Sequence, residues 1–334
     1  MNFTFSEDQL LFQESVRDFL VNEITPERIR AAWETDTGRA PGLQAQLAEL
    51  GLSGMTIAEE HGGLGMSALD FVLLAIECGY VALPEPLVHQ VLVATPALAA
   101  IGGDTAAKWL PKIAAGEAVV VVGLEQNQLV EDAHVADLLL MEQGGNVYAV
   151  DPAQATLGYN ESVDPSRKLY TVNFDASSAA LVASGEQAQQ VIRAALNGGA
   201  LGAAAQCLGL SQRMVDISVV YTTDRKQFGK PIGSFQAVKH HMANIAYKLE
   251  YAKGPLYRAA YSIANNSDLA DVHVSQAKAM ADEVGKIAAQ NCIQVHGAMG
   301  YTWEVNLHIF MKKAWAFNNT WGDNAFHKNR VAEV

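Results

Sequence analysis

Cysteine is scarce in this 334-residue chain: Cys78, Cys207 and Cys292 lie far apart and are odd in number. Disulfide frameworks and zinc sites need paired or clustered thiols. The three are therefore expected to be small buried hydrophobes in a reducing compartment, and no metal site is expected. Basic residues are also few, 23 Lys and Arg against 36 Asp and Glu, for a formal net charge of −13. With no Lys/Arg run to offset it, that charge excludes nucleic acid as a ligand class. No apolar run reaches the roughly 18 residues of a membrane span. The longest candidate, near 194–210, is broken by Asn197, Gln206 and glycines at 198, 199, 202 and 209. The opening residues have neither the basic stretch nor the apolar stretch of a secretion signal. The expectation is a cytoplasmic protein without membrane insertion.

What is present is a chain able to bury a large core, 50% hydrophobic with 27 glycines. Length allows two or three domains. Ser6 followed by Gln9 reads as a capping box opening a helix, with Leu10, Leu11, Val16, Phe19 and Leu20 at helical spacing. Further helices are predicted near 42–50, 68–80, 87–101 and 105–115. From Val119 the texture becomes β-branched, with strands predicted at 119–122, 136–141, 146–150 and 169–174 between Gly-Gly and Asp-Pro turn signals. From Gly185 onward the chain reads as helical. Its first long helix carries Gly198, Gly199, Gly202 and Gly209, each costing about 1 kcal/mol in an exposed helix. That cost points to close backbone packing. The predicted fold class is mainly α with a central β domain: 1–118 helical, 119–182 β, and 183–334 a helical bundle.

Two segments stand out. Asp224 to His240 joins two long helices and places Arg225, able to grip a phosphate bidentately, three residues before the aromatic Phe228. By composition alone it reads as an ordinary interhelical turn with a solvated Arg-Lys pair. Gln294-Val295-His296-Gly297-Ala298-Met299-Gly300-Tyr301-Thr302 places small residues where a flat ligand or another backbone could approach, and could equally be a glycine helix cap. His296 lacks an orienting carboxylate in sequence. His240 and His241 are adjacent and do not share a helix face. Glu59 to Gly65 is a glycine loop that follows no strand and lacks phosphate-loop spacing.

Together these segments resemble the acyl-CoA dehydrogenase family over nearly the whole chain. The matching stretches are Phe5-Ser6-Glu7-Asp8-Gln9, the Glu59 to Gly65 loop, Arg225-x-Gln227-Phe228-Gly229-x-Pro231-Ile232 and Gln294-x-His296-Gly297-x-x-Gly300-Tyr301-Thr302. The resemblance implies a helical domain, a small β-barrel or sheet domain and a C-terminal four-helix bundle. It also implies FAD, an acyl-CoA substrate and α,β-desaturation. By resemblance, Arg225, Phe228 and Gln294 reach the FAD of a neighbouring subunit, with Gly297 and Ala298 permitting close approach.

Other family features are missing. The carboxylate that removes the α-proton usually lies in a Tyr-Glu-Gly-Thr segment, and here Trp321 stands at the Glu. The alternative base position on the first long C-terminal helix holds Gly199. Neither side chain can act as a general base. The family's own-flavin loop is replaced by Gly123-Leu124-Glu125-Gln126-Asn127-Gln128. The resemblance thus implies one subunit of an α2β2 heterotetramer, whose sister chain carries the Glu. The implied substrate is a CoA ester of a cholesterol or bile-acid side chain. Two alternatives stay open: a self-sufficient homotetramer with Asp323 or Glu304 as displaced base, and a flavin-free scaffold. Small residues around Gly198 to Leu210 could widen a cleft for a ring system or serve packing.

Overall fold

The computed structural model describes residues 4–333. Ser6 caps α1 (Glu7–Glu23) reciprocally: its hydroxyl accepts from the Gln9 amide at 3.2 Å, and its own amide donates to Gln9 Oε1 at 2.8 Å. Thr25 caps α2 (Pro26–Trp33), which periodicity had not separated from the segment before it, and α3 (Leu43–Glu49) and α4 (Ala68–Tyr80) follow. The predicted helix over 87–101 is not one regular helix. It divides into α5 (Leu87–His89), a π-helical turn at Gln90–Ala94 and α6 (Thr95–Ile101). Pro96 is the physical reason, because it has no amide for the carbonyl a turn earlier. Then comes α7 (Gly103–Ala114).

The β region holds β1 (Val120–Gly123), β2 (Val130–Glu131), β3 (Leu138–Gln143), β4 (Asn146–Val150), β5 (Thr156–Asn160), β6 (Leu169–Asn173) and β7 (Ala180–Ala183). One sheet runs β1-β3-β4-β7, with β1 and β3 parallel; a second, antiparallel, runs β2-β6-β5. The Gly144-Gly145 pair, both at positive φ, makes the tight β3–β4 hairpin. Strands β2, β5 and β7 escaped sequence reading because they are short and only partly buried, so their apolar alternation is weak.

The C-terminal bundle is α8 (Gly185–Asp224), α9 (Gln236–Ala264), α10 (Ala270–His296) and α11 (Leu307–Phe317), followed by the short α12 (Asn324–Ala332). The small β8 (Lys226–Gln227) and β9 (Lys230–Pro231) pair between α8 and α9. Helix α8 is the spine, contacting α4, α6, α9, α10 and α11. Its glycines serve contact. A Cβ at Gly209 would lie 1.9 Å from the Ile76 carbonyl of α4, and one at Gly79 2.1 Å from the Gln206 carbonyl of α8. At Gly198 it would lie 1.6 Å from the Leu92 carbonyl. These residues bring backbones together, which is the packing role the sequence also allowed. The three cysteines are free and buried, and burial pushes their thiols up. Among the described residues no helix is long and apolar enough to cross a membrane.

Candidate functional site

Two regions carry the residues singled out in sequence. The first begins where α8 ends. Arg225 leaves the helix, and its carbonyl accepts from the Ile232 amide at 2.8 Å. Phe228 and Gly229 make the tip of the β8–β9 hairpin at φ +53° and +79°. Phe228 is 91% exposed, with only an edge contact to Phe235 at 6.2 Å. A large apolar ring held in solvent at a left-handed backbone position calls for a partner surface.

Tyr221, one turn before Arg225, stacks on His296 at 4.3 Å and donates to its carbonyl at 3.3 Å. This contact ties the end of α8 to the end of α10. Gln294, Gly297 and Ala298 are exposed there, and Gly297 (φ +58°) has no atom within 4 Å of where a Cβ would project. A cavity of about 570 Å³ beside them is lined by Arg213, Tyr221, Asp224, Arg225, His296 and Glu304, among others. His296 itself is buried, with Nδ1 bonded to the Cys292 carbonyl at 2.7 Å, and burial lowers its pKa.

The second region surrounds Trp321. A Cβ on Gly199 would lie 2.2 Å from the Trp321 indole. Residues 199 and 321 are therefore in direct contact, and the indole occupies the space a side chain at 199 would need. Trp321 is only 7% exposed, although its backbone has φ +59°. The strain is held by α10 and α12. Lys278, fully buried and paired with Asp282 at 2.6 Å, donates to the Phe317 carbonyl at 3.1 Å and the Gly322 carbonyl at 3.4 Å. His327 Nε2 donates to the Trp321 carbonyl at 2.9 Å. The ring of His89 lies 5.8 Å from the indole.

The remaining cleft is about 60 Å³, room for a few waters, whereas ligand sites run to about 300–1,000 Å³. Its walls are ion-paired. Arg39 pairs with Asp132, Arg167 pairs with Glu131 at 2.9 Å and donates to Thr320 at 3.0 Å, and Lys313 meets Asp164 at 3.4 Å. Burial lifts Asp132 to about 6 and Glu85 to about 7, despite Arg39 beside both. Sequence reading missed this cluster, because its members come from segments far apart in the chain and form no motif.

The two displaced-base candidates fall elsewhere. Asp323 is exposed and caps α12, accepting from the Phe326 amide at 2.8 Å. Glu304 lines the Arg225 cavity and is not among the residues lining the Trp321 cleft. The glycine loop at 59–65 spends its amides internally: Leu64 donates to the Gly54 carbonyl at 3.0 Å and Gly65 to the Ile57 carbonyl at 2.8 Å.

His327 supplies a pH test of this clamp. Burial lowers its pKa from 6.5 to about 4. The unfolded chain therefore takes up a proton below about pH 6.5 that the folded chain refuses until about pH 4. Stability is full above the upper value and falls with acidity, by about 2 kcal/mol per such histidine between pH 7 and 4.5. His89, also lowered to about 4, adds to the same slope. Urea melts of His327→Gln are expected to lose the His327 share; an unchanged slope would refute the assignment.

A helical domain, two small sheets and an antiparallel bundle with an exposed Arg-x-x-Phe-Gly hairpin define a class of flavoenzyme fold. The chain belongs to the acyl-CoA dehydrogenase family, oxidoreductases acting on CH–CH bonds and dependent on FAD. Residues 6–117 match the acyl-CoA dehydrogenase N-terminal domain, and residues 189–334 match the C-terminal domain. The chain is 30% identical to acyl-CoA dehydrogenase IpdE2 of Mycolicibacterium smegmatis, over 92% of this chain and 93% of that protein. It is similar in fold to a chain of the ChsE4-ChsE5 complex from Mycobacterium tuberculosis, with TM-score 0.86 and 22% identity over 100% of this chain and 98% of that one. A chain of the Tcur3481-Tcur3483 steroid ACAD gives TM-score 0.85 and 21% identity over 98% and 97%.

Proposed function

We propose that this chain is the base-lacking subunit of a heteromeric FAD-dependent acyl-CoA dehydrogenase. It lends Arg225, Phe228 and Gln294 to an FAD held mainly by a sister chain, which also carries the catalytic Glu. The observation that carries this reading is the contact of Trp321 with Gly199: the two places where the family puts its base fill one another. Asp323, engaged as a helix cap, and Glu304, in the Arg225 cavity, weigh against a self-sufficient homotetramer. The exposed Arg225 and Phe228 weigh against a flavin-free scaffold.

The residues present fit such a cofactor. The guanidinium of Arg225 suits a pyrophosphate, the Gln294 amide suits polar groups of the dinucleotide, and the open space at Gly297 and Ala298 admits close approach. Bound there, FAD would supply the hydride acceptor that desaturation of an acyl thioester requires. This chain's own share is to bind and orient, since no side chain at 199 or 321 can take a proton. Assembly with a sister chain is supported by the complexes among its structural relatives. A steroid side-chain CoA ester, broken down in cholesterol or bile-acid degradation, is the substrate this reading favours, because one of those relatives is named a steroid enzyme.

Expression of the chain alone is expected to give colourless protein, and co-expression with its sister to give flavin absorbance and acyl-CoA-dependent dye reduction. A yellow, active protein from this chain alone would refute the proposal.

A further inference from the structure

The outward side of α9 does not read as a solvent face. Such faces are normally charged. Between 243 and 254 the exposed residues of α9 are Ala243, Asn244, Ala246, Tyr247, Glu250, Tyr251 and Gly254, with a single charge among them. Tyr247 and Tyr251 are 50% and 74% exposed and lie edge to face at 6.3 Å. Beside them Lys248 pairs with Glu283 of α10 at 3.1 Å. Met280, three residues before Glu283, is exposed on that same side of α10. Gly254, whose missing side chain also eases the helix into Pro255, has nothing within 4 Å of where a Cβ would project. The middle of this face lies about 20 Å along α9 from its hairpin end.

Size and charge point to what covers it. The 29 residues of α9 span about 43 Å, and with α10 alongside the face is roughly 20 Å wide. The product is roughly 800 Å², the area each partner gives to a stable interface of standard size. Two chains of net charge −13 repel as wholes, so copies can meet only where local charges balance. At the centre of this face they do, since Lys248 pairs with Glu283 and Glu250 with Lys253 at 2.6 Å. The pattern is also self-complementary about residue 249. With a second α9 laid antiparallel, Tyr247 meets Tyr251 of the second copy, Asn244 meets its Gly254, and Glu250 meets its Lys248, each pair occurring twice. Tyrosines at the centre match the aromatic enrichment of interface cores.

We infer that this face is an isologous interface, on which a second copy of this chain lays its α9 antiparallel to the first. The inference goes beyond the lending of Arg225 to a sister chain and does not depend on it. The two together give each chain the separate contacts that an α2β2 assembly requires.

Sedimentation of the chain alone at micromolar concentration is expected to show twice the chain mass. Tyr251→Glu, a change at an exposed position that leaves the monomer fold intact, is expected to raise the dimer dissociation constant by about 100-fold or more. A chain carrying both Asn244→Cys and Gly254→Cys tests the register. Within one α9 these positions are about 15 Å apart, too far for a disulfide, whereas across the two-fold they meet. Mild oxidation is expected to link two chains of the double variant and none of either single variant. The native cysteines are buried and stay out of the reaction. In the complex with a sister chain, Tyr251→Glu is expected to halve the mass of the assembly and leave flavin per protein unchanged. A monomeric wild-type chain, a Tyr251→Glu variant that dimerises like wild type, a double variant that forms no link, or release of the sister chain in place of the second copy would overturn the inference. Flavin retention in Arg225→Ala reports separately on the other face.

Discussion

Arg225→Ala in the assembled enzyme is expected to strip flavin while leaving the subunits folded and associated. A charge-assisted contact to a phosphate contributes about 1.5–3 kcal/mol, so FAD affinity should fall by about 10–150-fold. The fold should tolerate the change because Arg225 shapes its turn through main-chain atoms. Its amide donates to the Tyr221 carbonyl at 2.9 Å, and its carbonyl accepts from Ile232. Arg225→Lys keeps the charge but not the planar fork and should fall between. The ratio of flavin to protein absorbance after gel filtration, with the melting temperature as control, reads the result. Undiminished flavin in Arg225→Ala would remove the role assigned to this face.

The second large effect is on stability. Trp321→Ala should cost about 3–5 kcal/mol, the range for deleting a buried aromatic whose site cannot collapse. Collapse is resisted here because Lys278, His327 and the ion pairs around Arg39 and Arg167 hold the surrounding walls. Trp321→Glu, which puts a carboxylate where the proposed reading places the family's base, should create no second active site. The new carboxylate would be buried beside Glu85, Glu131 and Asp132, with Arg39 and Arg167 already paired to Asp132 and Glu131, and would be destabilised by the loss of solvation. Urea melts measure the first effect. For the second, turnover per flavin is compared between wild type and Trp321→Glu in the complex. A stable, wild-type-like Trp321→Ala would show that the indole is not the plug described here.

Much of this was legible in sequence. The capping box at Ser6, the helix over 68–80, the strand over 146–150 and the change of texture at Val119 rest on local signals, which survive folding because neighbours along the chain make them. The segment bearing Arg225 and Phe228 was legible as a distinctive connection between two long helices, but its β8–β9 hairpin was not, since two-residue strands leave no alternation to read. The break in the helix over 87–101 is masked in sequence because apolar periodicity continues through Pro96.

What the sequence by itself determined is the order of elements, the family and the residues displayed on the outer face. What only the tertiary structure decided is what became of the interior. Gly199 and Trp321 read separately as two missing bases; folded, they are one contact. Arg167 and Thr320, 153 residues apart, meet inside the same wall. Periodicity reports which face of a helix is apolar, but not which faces meet or how closely. Here those distances determine that the cleft is shut, and they follow from backbone approach at glycine and from charges paired across domains.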